Sequence, residues 1–147
     1  MESGIAKGTQ PSQRPNWEAD IRERLGAEVV NGVEKAFEVA IRAVKTREES
    51  LGLDGSRKLV MSKVQDGLTD ALDGQKVTQE RLTKVLGGVE DPEVREAIRA
   101  AGDFMIGLQK ETSIRPGLGR QWINHTASEA VRQIEEQDLQ AEAQGNN

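Results

Sequence analysis

Cysteine is absent from the 147 residues, which removes disulfides, thiolate metal ligands and cysteine nucleophiles together. Tyrosine is absent too, and aromatic rings come only from Trp17, Phe37, Phe104 and Trp122. Four rings are too few for a β-sandwich core or for a platform that stacks single-stranded bases. Histidine occurs once, at His125, so a two-histidine metal site, a zinc finger and a paired Glu-x-x-His di-iron centre lack their ligands. His125 lies just before Thr126, where a polar capping role is expected in preference to catalysis. No Gly-x-x-x-x-Gly-Lys phosphate loop is present, and Gly117 and Gly119 lack the third glycine of a dinucleotide fingerprint. No catalytic residue, cofactor site or metal site is expected. No apolar run approaches the length of a membrane span, and residues 1–15 lack the apolar segment of a secretory signal. The expectation is a soluble protein of the cytoplasm or of a virion, without a membrane partner.

What is abundant is charge. Twenty basic and 25 acidic side chains are interleaved along the chain, for a net charge of -5, and charged residues make up 31% against 35% hydrophobic. That balance favours narrow apolar stripes on amphipathic helices. Many acidic residues have a basic neighbour four positions on, including Glu38 with Arg42, Glu80 with Lys84 and Asp91 with Arg95. This spacing suits solvated helix surfaces, so carboxylate pairs such as Glu34 with Glu38 read as surface features.

The pattern predicts an all-α fold, roughly a five-helix bundle with a long first helix and flexible ends. Residues 1–15, rich in Gly, Pro, Ser and Gln, read as a flexible arm, 16–140 as a single helical domain, and 141–147 as a disordered tail. Ile21, Leu25, Val29, Val33, Phe37, Ile41 and Val44 recur every three or four residues and predict one helix from Trp17 to about Glu49. A second helix, capped by Asp54 or Ser56, runs to Asp73 and Gly74. A third, opened by Thr78, ends at Gly87 and Gly88. Asp91-Pro92 opens a fourth, since Asp accepts from the free N–H groups and Pro has none to lose. A loop over 113–119 precedes the last helix, which starts near Arg120 or at Thr126, the latter by a Thr126-x-x-Glu129 capping box.

Five glycines fall inside predicted helices: Gly26, Gly32, Gly67, Gly102 and Gly107. Each costs about 1 kcal/mol against alanine, and close approach of a neighbouring backbone is the simplest compensation. Two small-residue faces follow. One is Gly32, Val33, Ala36, Phe37, Ala40 and Val44 on the first helix. The other is Ala97, Ile98, Ala101 and Met105 on the fourth. These faces are expected to meet either between copies of the chain or within one bundle. The functional expectation is a non-catalytic interaction or assembly component, binding itself or another helical protein, a character shared by viral and phage structural proteins. The competing expectation is a small regulator that contacts nucleic acid phosphates through Arg42, Lys45, Arg47, Arg57 and Lys58.

Overall fold

The computed structural model describes residues 16–110 and 116–145. They form six α-helices: α1 (Asn16–Leu25), α2 (Ala27–Arg47), α3 (Gly52–Asp70), α4 (Gln79–Gly87), α5 (Pro92–Gln109) and α6 (Pro116–Gly145). A single 3-10 turn, Glu49–Leu51, links α2 to α3. Two short strands, β1 (Leu72–Asp73) and β2 (Lys76–Val77), pair antiparallel between α3 and α4. Among the described residues the fold is all-α apart from this hairpin. The expected arm over 1–15 lies outside the described residues.

Several boundaries differ from the pattern in the sequence. The long first helix is broken at Gly26, whose φ of 95° and ψ of 143° no helix accommodates. Glycine takes this left-handed region without the steric cost a side chain would meet. Backbone bonds from Gly26 N–H to the Arg22 carbonyl and from Val30 N–H to the Gly26 carbonyl still flank the break. The apolar period therefore runs through it unaltered, and periodicity alone does not reveal it.

The second helix starts at Gly52, ahead of both expected caps. Ser56 is buried instead, its hydroxyl donating to the Gly52 carbonyl at 2.8 Å. The last helix contains Gly119 and runs unbroken through Thr126, which is buried, so helix replaces the capping box and the 116–119 part of the expected loop, while 113–115 lie outside the described residues. It continues to Gly145, beyond the start of the expected tail at 141, although residues 135–145 are all exposed. Two expected starts are present. Thr78 accepts from Arg81 N–H at 3.4 Å, and Asp91 accepts from Glu93 N–H at 3.3 Å.

The core lies along α2. Val30, Phe37, Ala40 and Ile41 are wholly buried, with α5, α6 and α3 packed around them. Arg47 at the end of α2 pairs with Asp91 at the start of α5, and Leu25 approaches Gly107 near the other end of α5. The two helices are therefore antiparallel. Phe104 of α5 stacks on Trp122 of α6 with ring centroids 4.3 Å apart. Gln65 of α3 bonds to Asn124 and Arg120 of α6, at 3.2 and 2.8 Å. The hairpin is held by the Gln109 side chain, whose amide accepts from Val77 N–H at 2.6 Å and donates to Val77 C=O at 3.0 Å. One side chain thus serves the backbone of β2 as a further strand would.

The helical glycines divide by what surrounds them. A Cβ at Gly102 would stand 2.5 Å from Leu82 Cδ2, and one at Gly67 would stand 2.9 Å from Ile98 Cγ2. At these two positions the close neighbour is a branched side chain, where the sequence suggested a neighbouring backbone. Gly32 is different, with open space where a Cβ would go. Gly102→Ala is expected to lower stability by about 1 to 3 kcal/mol through overpacking against the buried Leu82, less the gain in helix propensity. Gly32→Ala is expected to raise it by about 0.5 to 1 kcal/mol. Urea unfolding of the two variants checks this, and opposite signs are the expected result.

Candidate functional site

A hollow opens where α3, α4 and the start of α5 converge. The three helices cannot close fully there, because α4 is only nine residues long and the segment from Gly88 to Asp91 turns away to begin α5. The resulting groove has a volume of about 680 Å3. Gly67, Val85, Val89, Val94 and Ile98 give it apolar surface, and Lys63, Asp66, Asp70, Lys84, Glu90 and Asp91 border it. A second hollow of about 400 Å3 adjoins it, sharing Asp70, Lys84 and Val85 and adding Asp73, Glu80 and Arg81. Together the borders hold six carboxylates and three cations.

The local sequence explains this form. Gly67 recesses the α3 surface, so that Ile98 of α5 approaches its backbone directly. Asp66 and Asp70 are four residues apart and share one helix face. Leu59 lies on that same face, 37% exposed, one turn before Lys63 at the groove border.

At the α5 end, Asp91 combines three roles. It caps the helix, pairs with Arg47 and borders the groove. Burial by itself would raise its carboxyl. Hydrogen bonding with Glu93, the Arg47 charge and the N–H groups of Val94 and Glu93 outweigh burial and hold it below the ordinary carboxylate value. Arg47 also reaches Glu93 at 3.6 Å. Arg95 donates to the Val89 carbonyl at 2.9 and 2.6 Å and so fixes the bend that forms the groove wall.

The residues singled out from sequence lie elsewhere or in other roles. Val33, Ala36, Phe37, Ala40 and Val44 of α2, and Ala97, Ile98, Ala101 and Met105 of α5, are all buried within the single chain. α2 and α5 pack against each other within the chain, while Ile98 meets Gly67 of α3 and Met105 meets Gly119 of α6. These buried residues present no free surface to a second copy. Gly32 is exposed and stands apart from them. Ile98 alone of the ten borders the groove.

The basic cluster is drawn into ion pairs. Arg42 bonds to Gln137 and Asp138 of α6, Arg47 to Asp91, and Arg57 and Lys58 to Asp54. Lys45 is half-buried. Four of the five cations thus already face carboxylates, which weakens the positive field a phosphate backbone requires.

His125 sits half-buried inside α6 and not at a helix start. Among the described residues no group of three or more His, Cys, Asp or Glu side chains is placed to hold a metal ion, and no helix is long and apolar enough to cross a membrane. The groove residues were not singled out from sequence. A signal was available in Asp66 and Asp70, because carboxylates near a helix C-terminus oppose its dipole.

Because the folded carboxyl of Asp91 is held low, its contribution is present above the unfolded value and is lost as the pH falls through the folded one. Asn also caps helices, so Asp91→Asn removes the charge and keeps the cap. Wild type is expected to be the more stable of the two above about pH 5, with the difference shrinking toward zero well below about pH 3.9. Thermal unfolding of both proteins across this range measures it.

No family model, curated protein or solved structure matches the chain, so its functional reading rests on this groove and its surroundings.

Proposed function

We propose that the protein is a non-catalytic interaction component that docks a partner protein in the groove between α3, α4 and α5. The observation that carries this reading is the groove itself, an open hollow of about 680 Å3 with apolar surface from Val85, Val89, Val94 and Ile98, and with exposed Leu59 one turn before its Lys63 border. An open hollow of this size with apolar lining marks a surface that gains by being covered. Self-association through the small-residue faces of α2 and α5 has no comparable support, because their area is already used within the chain. The phosphate-binding reading is weakened by the carboxylates that already hold Arg42, Arg47, Arg57 and Lys58.

Site-specific photo-crosslinking in the cells that make the protein tests the proposal. A photoreactive amino acid replaces Leu59 in one variant and Val29 in another. Val29 is 44% exposed but lies 18 residues before Arg47 on α2, roughly 27 Å from the groove end of that helix. A discrete adduct from position 59, absent from position 29, is expected. Equal labelling from both positions, or none from 59, rejects the reading. Light scattering in the presence of a DNA duplex at low salt addresses the alternative, and an unchanged mass is the expected outcome.

A further inference from the structure

We infer that the occupant of the groove is a basic amphipathic helix supplied by a partner protein, an inference that rests on the docking role proposed above. The first support is shape. The groove runs between α3, α4 and α5, with apolar surface from Val85, Val89, Val94 and Ile98, and exposed Leu59 stands one turn before its Lys63 border. A helix laid in such a groove meets it with anchors at three- and four-residue intervals. Ile98 and Val85 fill the recess at Gly67, so the anchors would rest on these side chains.

The second support is charge. Carboxylates outnumber cations by six to three around the groove and its adjoining hollow. Asp73 is matched by Arg81 at 3.8 Å, and Asp91 by Arg47. Asp66, Asp70, Glu80 and Glu90 form no ion pair among the described residues. Lys63 and Lys84 stand in the same groove, also without an ion pair, and leave its balance negative.

The third support is that these charges do not serve the fold. Asp70 is the last residue of α3 and Asp66 lies one turn earlier, at the end of the helix where the macrodipole disfavours anions. That last turn holds no basic residue to offset them. A cationic partner would supply the missing compensation. The same charge argues against a second copy of the chain as occupant through its exposed helical end. Residues 135–145 of α6 carry Glu135, Glu136, Asp138 and Glu142 and no cation, so they would be repelled.

The test uses three designed helical peptides of about 18 residues, long enough to follow α3. Each has one leucine face, and the opposite face is lysine, glutamine or glutamate. Methyl resonances of Val85, Val94 and Ile98 report binding to the groove. The lysine peptide is expected to shift them and to bind at least about tenfold more tightly than the glutamine peptide, with no binding by the glutamate peptide. The Asp66→Lys, Asp70→Lys double variant is expected to weaken the lysine peptide at least about tenfold, while its thermal midpoint stays equal to or above that of wild type.

Equal groove binding by the lysine and glutamine peptides would overturn the basic partner and leave the docking role standing. So would undiminished binding to the double variant. Shifts centred on residues 135–145 would mean charge attraction to the end of α6, and would also overturn the inference. Failure of all three peptides to shift the groove methyls would remove both the inference and the docking role.

Discussion

The structure depends on the burial of one stripe of α2. Val30, Val33, Phe37, Ala40, Ile41 and Val44 form a continuous apolar line, and α5, α6 and α3 are arranged by what they bury against it. Ala40 and Phe37, the smallest and the largest side chains of the line, are both wholly buried. With only four aromatic residues in the sequence, the core relies on such fitting of small and branched side chains. The Phe104–Trp122 stack adds one larger contact between α5 and α6. Because dense packing leaves little slack, the positions of Gly67 and Gly102 are fixed by their neighbours and not by helix propensity.

The groove follows from the same arrangement. Once α5 is fixed against α2, and α3 against both, the short α4 spans only part of the remaining gap. Gln109 holds the hairpin before α4, and Arg95 fixes the bend after it, so both ends of this stretch are anchored to α5. The opening between the anchors is therefore a property of a rigid frame. Its acidic border is set mostly by α3 and by the residues on either side of α4.

Electrostatics shows where local rules give way to tertiary contacts. Glu38 and Arg42 have the spacing of a helical ion pair, yet Arg42 turns to Asp138 and Glu38 accepts from Gln137, both on α6. Asp91 and Arg95 separate likewise, Asp91 to Arg47 and Arg95 to backbone carbonyls. Local pairing survives in Arg99 with Glu96 and Asp103, and in Arg132 with Glu129 and Glu136. Glu38 is buried, but the ion-paired side chains are at least partly open to solvent, where an ion pair contributes about 0 to 1 kcal/mol. Small differences in what lies nearby are enough to redirect them.

The sequence by itself determined that the chain is helical and where its apolar faces lie. It also determined the caps at Thr78 and Asp91, because these features depend on residues within one or two turns of each other. The break at Gly26 was not legible, since a left-handed glycine leaves the apolar period intact. Nor was the Leu72–Val77 hairpin, whose strands are two residues long and need Gln109 from a distant helix. Thr126 and Gly119 carry loop and cap signals locally, but both are buried within α6, Gly119 against Met105 and Leu108 of α5. The partners of the small-residue faces were open in the sequence, and tertiary packing buries all of their residues except Gly32 within the chain. The groove is likewise a tertiary feature, because it is the space left among three helices and no local pattern encodes an absence of contact.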